Sequence, residues 1–313
     1  MMNDLMGNDR PKEMEQKDVS VVIVNYNTRD MLRDCIGSIK ENTHDIDYEV
    51  IVVDNNSHDG SVEMLRKEFP DVMTIEAGVN LGFGRANNLG MSKAVGKYLF
   101  LLNSDTILLN NAIKIFYDQA QQLIKEGYRI GALGAVLLNR DRKTCHSYGN
   151  FITPSSELKE LITKYLRFLK DHNNTNPSRV EGSLNVDYVT GADMFVSTEV
   201  FHITGGFDPD FFMYCEEVDW QKRMAQEGYD RFIVDGPEIV HLEGGSEKNG
   251  ATFWSPGRLA NLYSSRKIYR KKHYNKIILP VFRAIHFLLD IPALLGVALS
   301  SKRKEYLRLI KLK

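Results

Sequence analysis

Cysteine is scarce in this chain, and so are long uninterrupted apolar runs. Its three cysteines, Cys35, Cys145 and Cys215, stand far apart with no C-x-x-C pair. That excludes a disulfide framework and a cysteine zinc site, and fits a reducing, cytoplasmic setting. The opening MMNDLMGNDRPKEMEQKD carries charges of both signs and no apolar h-region, so residues 1–17 read as a frayed tail and not as a secretory signal. Net charge is missing too: 40 Lys and Arg face 41 Asp and Glu, which argues against a nucleic-acid-binding chain. General disorder is excluded by 43% hydrophobic residues, and 313 residues suffice for one large domain or two smaller ones.

The even balance conceals an asymmetry. From Gly257 to Lys313 there are 14 Lys and Arg against Asp290 and Glu305, a local +12, so residues 1–256 carry −13. Within this basic extension lies VFRAIHFLLDIPALLGVALS, Val281 to Ser300, interrupted by Arg283, His286, Asp290 and Pro292. A spanning helix needs about 20 mostly apolar residues, and an ionised group at the bilayer centre costs roughly 2.5–3.5 kcal/mol on insertion scales. An interfacial helix between basic flanks is the reading preferred over a span. Packing in the core or pairing in a homodimer is the competing reading.

Val19 to Val24 (VSVVIV) lacks polar alternation, as expected of a central strand covered on both faces. Helical spacing of Met31, Leu32, Cys35, Ile36 and Ile39 follows, then a second strand, Glu49 to Val53. The alternation continues through a helix at Ser61 to Phe69, a strand at Met73 to Glu76, a helix at Phe83 to Val95 and a strand at Tyr98 to Leu102. This predicts an α/β fold with a mostly parallel central sheet flanked by helices. The second half is less regular: a strand at Ile130 to Leu138, a charged helix at Glu157 to Lys170, and a polar loop at Asp171 to Arg179.

Ligands of open α/β sheets sit beyond the carboxyl ends of the strands. There the chain places Asn25, Tyr26 and Asn27, then Asp54, Asn55, Asn56 and Ser57, then Asn103, Ser104 and Asp105. One such cluster is an ordinary turn; three in register point to a site. With these clusters in their order and spacing, VSVVIVNYNTRDMLRDCIGSI, VIVVDNNSHDGS, NLGFGRANNLGM and YLFLLNSDT resemble family 2 glycosyltransferases with the GT-A nucleotide-sugar-binding fold. YVTGADMFVSTEVFHITGGFDPDFFMYCEEVDWQKRMAQEGY and HLEGGS resemble the acceptor half of that family's rhamnosyltransferase-like members.

The resemblance implies a glycosyltransferase domain over 18–256, with a nucleotide-sugar half at about 18–140 and an acceptor half at about 141–256. The basic helical extension, 257–313, would associate with the membrane. It implies an inverting transfer from a dTDP- or UDP-linked sugar, with rhamnose as the candidate sugar, to a glycan or lipid-linked acceptor at the inner face of the cell membrane. Asp105 and His241 would hold a divalent cation, Mg2+ or Mn2+, that neutralises the leaving diphosphate. The family's first carboxylate is replaced here by Asn103.

Asp54 would accept from the base, with Asn25, Tyr26 and Asn27 lining base and ribose. Asn80, Gly82, Asn87, Asn103 and Ser104 would lie along the nucleotide, with Arg85 near the phosphates. Glu217 takes the position of the base, with Glu216 and Asp219 as alternatives within CEEVDW, and Asp193, Tyr214 and Trp220 are candidates for contact with a sugar. Two other readings stay open: a nucleotidyltransferase, whose phosphate loop NYNTRD lacks, and a silent sugar-binding scaffold, which the missing carboxylate at Asn103 would suit.

Overall fold

A computed structural model describes residues 16–159, 180–242, 256–280, 282 and 284. In chain order these form β1 (Lys17–Asn25), α1 (Arg29–Asn42), β2 (Tyr48–Asp54), α2 (Ser61–Glu68), β3 (Met73–Glu76), α3 (Phe83–Met91), β4 (Gly96–Asn103), β5 (Thr106–Leu108) and α4 (Ala112–Lys125). There follow β6 (Ile130–Gly134), β7 (Tyr148–Gly149), β8 (Ser183–Asn185), β9 (Tyr188–Val189), β10 (Asp193–Ser197), α5 (Thr198–Thr204), α6 (Glu216–Gln226), β11 (Asp230–Val234), β12 (Ile239–His241) and α7 (Pro256–His273).

Among the described residues the main sheet has the order β3-β2-β1-β4-β10-β6-β11-β8. Its strands are parallel except for β10 and β8, which run against their neighbours. Alternate residues of a strand serve opposite faces. Val19, Val21 and Ile23 of β1 pack with α1, α2 and α4 around Phe100, Phe116 and Phe195, while Val22 joins the other face with Leu99, Leu101, Phe207 and Trp220. Burial on both faces explains why β1, β2 and β4 read as continuous apolar runs.

Two elements end sooner than the apolar pattern predicts. The helix expected to reach Val95 stops at Met91, because Lys93 and Ala94 make tighter turn bonds to Gly90 and Met91, and Val95 N–H is taken by Glu49 Oε1 at 2.9 Å. The strand expected to reach Leu138 stops at Gly134. Its next donors go to side chains, Ala135 N–H to Asp193 Oδ2 at 2.7 Å and Leu137 N–H to Ser147 Oγ at 2.8 Å. Lys17, the last residue of the expected tail, is already in β1.

Residues 154–159 are helical. The remainder of the expected helix to Lys170, the loop Asp171 to Arg179, residues 1–15 and nearly all of Val281 to Ser300 lie outside the described residues. Among the described residues no helix is long and apolar enough to cross a membrane.

Candidate active site

Register sets the floor of the site. Asn25 pairs with Asp54 across β1 and β2, and Val24 with Asn103 across β1 and β4, so three strands end together. The side chains at these ends are largely spent on one another. Asn25 is wholly buried; its Nδ2 donates to Asp54 Oδ1 (2.9 Å) and Ser57 Oγ (3.0 Å), and its Oδ1 accepts from Thr28 Oγ1 (2.7 Å). Asp54, also buried, accepts from Ser57 N–H at its second oxygen, 2.9 Å. Asn25, expected to line base and ribose, is thus spent on its neighbours at the strand ends, and Asp54 is fixed from both oxygens. Tyr26 is 38% exposed at the rim. Asn27, at φ 55°, accepts from His58 N–H.

The glycine-rich segment packs closely against the second half of the chain. A Cβ on Gly82 would stand 2.2 Å from Phe212 O, and one on Gly84 2.9 Å from Phe207 Cβ. Both glycines thus admit the 207–212 segment of the second half of the chain. Phe83 N–H donates to Phe212 O (3.0 Å), exposed Arg85 donates to Pro209 O (2.7 Å), and Asn88 exchanges two bonds with the Phe207 backbone. Asn87 is buried and turned to its own helix at Phe83 O. Asn80 is exposed and accepts from Asn55 Nδ2. Asn55 and Ser57, members of the second polar cluster, were given no individual role from sequence, and Thr28 was not named. Asn55 secures this loop through Leu81 N–H and Gly82 O, and an asparagine just beyond a strand was the only signal.

A short antiparallel ribbon, β5 with β12, sets His241 opposite Thr106 and brings its Nε2 to 3.3 Å from Asp105 Oδ1. Asn103 Nδ2 stands 3.4 Å from the same nitrogen. In this orientation one neighbour asks Nε2 for a proton and the other for a lone pair, so a neutral imidazole satisfies only one. A carboxylate and an imidazole converging at a partly open strand end suit a divalent cation that takes its remaining ligands from a diphosphate. Among the described residues no third His, Cys, Asp or Glu joins them. Ser104 is buried and paired with Thr28. Residues 243–246 of HLEGGS lie outside the described residues.

The three acids of CEEVDW have distinct surroundings. Asp219 is buried between Arg223 Nε (3.0 Å) and His273 Nε2 (2.7 Å), so both of its carboxylate oxygens are already engaged. Glu216 is 3% exposed with Oε2 unpartnered, and burial, then the charge of Glu217, pushes it up to about 8. Glu217 is half-buried and raised by burial. Its charge in turn contributes, after burial, to raising the hydroxyl of Tyr188, a neighbour not foreseen. Half-buried Tyr214 and buried Cys215 lead into α6 with φ of 74° and 66°.

Trp220 and Asp193, the other candidates for contact with a sugar, are both enclosed by protein. Trp220 is wholly buried against Phe207, with its Nε1 on Thr204 Oγ1. Asp193 is wholly buried, raised by that burial, and bound to Ala135 N–H.

The two chemical ends of the site meet through one segment. Ala192 O accepts from Asn103 N–H at 3.0 Å, and a Cβ on the adjacent Gly191 would lie 3.9 Å from Glu217 Cβ. The Asp105–His241 pair and Glu217 therefore flank a common strand edge.

Residues 20–151 match the model of glycosyl transferase family 2. Over 241 residues the chain is 26% identical to N-acetylglucosaminyl-diphospho-decaprenol L-rhamnosyltransferase of Mycobacterium tuberculosis, covering 71% of this chain and 75% of that protein. It is 24% identical to rhamnosyltransferase WbbL of Escherichia coli, covering 71% and 83%. Among solved structures, GalNAc-T7 with UDP, GalNAc and Mn2+ superposes with a TM-score of 0.53 at 16% identity, over 82% of this chain and 48% of that one. TarS of S. aureus superposes at 0.51 and 14% identity, over 72% and 36%. The chain thus spans about half of the first structure and about a third of the second.

The buried Glu216 carries a stability prediction. Its folded value is raised, so its contribution is fully present below the ordinary 4.5 and is lost as pH climbs towards about 8, where the unfolded chain releases the proton first. Glu216→Gln cannot ionise. Thermal unfolding should show it gaining melting temperature relative to wild type on the alkaline side of that window and not on the acid side; an equal difference at both ends would contradict the assignment.

Proposed function

We propose that this chain, a rhamnosyltransferase-like family 2 glycosyltransferase with the GT-A fold, transfers rhamnose with inversion from a dTDP- or UDP-linked donor to a lipid-linked or glycan acceptor of the cell surface. The observation that carries the reading is the single strand edge flanked by the Asp105–His241 pair and by Glu217, joined through Gly191 and Ala192.

In this reading the acceptor hydroxyl oxygen bonds to the anomeric carbon as the bond from that carbon to the diphosphate breaks, and the hydroxyl proton passes to Glu217. Burial raises Glu217 from its ordinary value, the direction that makes a carboxylate a better proton acceptor. A divalent cation held by Asp105 and His241 would supply positive charge to the departing diphosphate. Asp54 and Asn27, each fixed by the Ser57–His58 turn, lie where the nucleoside is expected, with Tyr26 at its rim.

Release of nucleoside diphosphate from a panel of dTDP- and UDP-sugars, with an N-acetylglucosaminyl-diphospho-lipid as acceptor, identifies the donor. Glu217→Gln, which keeps shape and loses basicity, should lower turnover roughly 10²–10⁴-fold with donor affinity little changed. Normal turnover in Glu217→Gln, with a dead Glu216→Gln, would move the base by one position.

The basic extension supports association with an anionic membrane surface, since each Lys or Arg near such a surface contributes about 1 kcal/mol. The full chain should float with anionic liposomes at low salt and less at high salt, and a chain ending at Tyr274 should float poorly. Equal flotation of both chains would remove the anchor from 275–313.

A further inference from the structure

Helix α6 begins in an unusual way. Tyr214 and Cys215 both adopt left-handed backbone, and no side chain caps the first turn. Each such residue costs of order 1–3 kcal/mol and persists only where the surroundings over-determine it. Glu217 is the second residue of this helix, so whatever holds the junction also aims the carboxylate.

The hold comes from one face of α7. Ser265, Tyr269, Lys272 and His273 recur at the spacing of a single helical stripe. Ser265 Oγ donates to Met213 O at 2.7 Å. Tyr269, wholly buried, packs with Phe211, Cys215 and Val218. Lys272 pairs with Asp208 and Asp210. His273 Nε2 meets Asp219 Oδ1 at 2.7 Å, with 7% and 1% of the two side chains exposed. The opposite oxygen of Asp219 takes Arg223, whose guanidinium also donates to Thr204 O and Gly206 O, so the segment leading to the base is gripped at both ends.

Helix α7 itself is locked from beneath. Arg270 is doubly hydrogen-bonded to the buried Glu157 carboxylate (2.8–3.1 Å), which also accepts from Tyr274 at 2.6 Å. Two buried polar networks on one surface helix are more than packing requires, since apolar residues of equal volume would hold a helix at least as well. What they supply is a fixed register.

We infer that His273 is a positioning residue for transfer: through Asp219 it fixes the register of α6, and so the aim of Glu217, making α7 part of the catalytic unit. This rests on the reading of Glu217 as the base. The test is steady-state kinetics of the full chain with the donor found above, alongside dissociation constants for UDP and dTDP. His273→Ala should lose about 10- to 100-fold in kcat, the scale of a small misplacement at the reacting centre, with KM for donor and nucleotide affinity nearly unchanged. His273→Gln, which keeps an N–H donor of similar reach, should recover most of the loss.

Wild-type kcat in His273→Ala, a loss carried by KM, or no rescue by glutamine overturns the inference. Should His273→Ala fail to fold, Ser265→Ala, which removes only the hydroxyl at Met213, is held to the same split between kcat and KM. The two levels separate cleanly. A wild type insensitive to Glu217→Gln removes the base assignment and this inference with it, whereas sensitivity to Glu217→Gln with indifference to His273→Ala removes the inference alone.

Discussion

The structure depends on the antiparallel insertion of β10 between β4 and β6. Because β10 runs against β4, with Asp193 opposite Leu102, the chain enters β10 where β4 ends. The residues just before it, Gly191 and Ala192, are therefore delivered to the carboxyl edge of the parallel strands. Asn103 N–H then finds Ala192 O instead of a further strand. A parallel insertion would have delivered the entry of β10 to the opposite edge of the sheet. From this one pairing follow the meeting of the two halves of the chain, the seat of α6 and the nearness of Glu217 to the Asp105–His241 ribbon. The glycines of NLGFGR serve the same union, by making room for Phe207 and Phe212.

Polar groups divide between those that build the edge and those that work on it. Asn25, Asp54, Ser57 and Thr28 satisfy one another at the strand ends, and buried Asn55 is spent on Gly82 O and Leu81 N–H; an unpaired buried group there would be costly. Among the described residues, Glu216 Oε2 and Asp193 Oδ1 are buried without a hydrogen-bond partner. Both carboxyls are raised by burial, which disfavours their charged forms.

The first half of the fold was legible because fully buried parallel strands and amphipathic helices leave strong patterns, and the strands from Met73 and around Val21 fall where those patterns put them. Strand ends were legible as well, since Asn, Asp and Ser gather there. What periodicity could not disclose was direction: nothing in Asn25 or Trp220 says whether a polar or aromatic side chain faces a ligand or its neighbours. Asn25 turned out to hold the floor together and Trp220 to fill the core. The early stop of β6 was hidden for a related reason, because its next donors pair with Asp193 and Ser147, residues distant in sequence. The basic residues of α7 were read only as a flank of the apolar stretch Val281 to Ser300 in a membrane-associating extension. The contacts of α7 with Met213, Asp219 and Glu157 are long-range and have no local signature.

The most direct test of the account is Mn2+ binding in the presence of UDP or dTDP, followed by electron paramagnetic resonance. The account predicts a bound signal that requires the nucleoside diphosphate, that Asp105→Asn and His241→Ala each abolish, and that Glu217→Gln leaves intact. A signal indifferent to Asp105→Asn and His241→Ala would contradict the claim that this strand edge is where the cation and the leaving group are held.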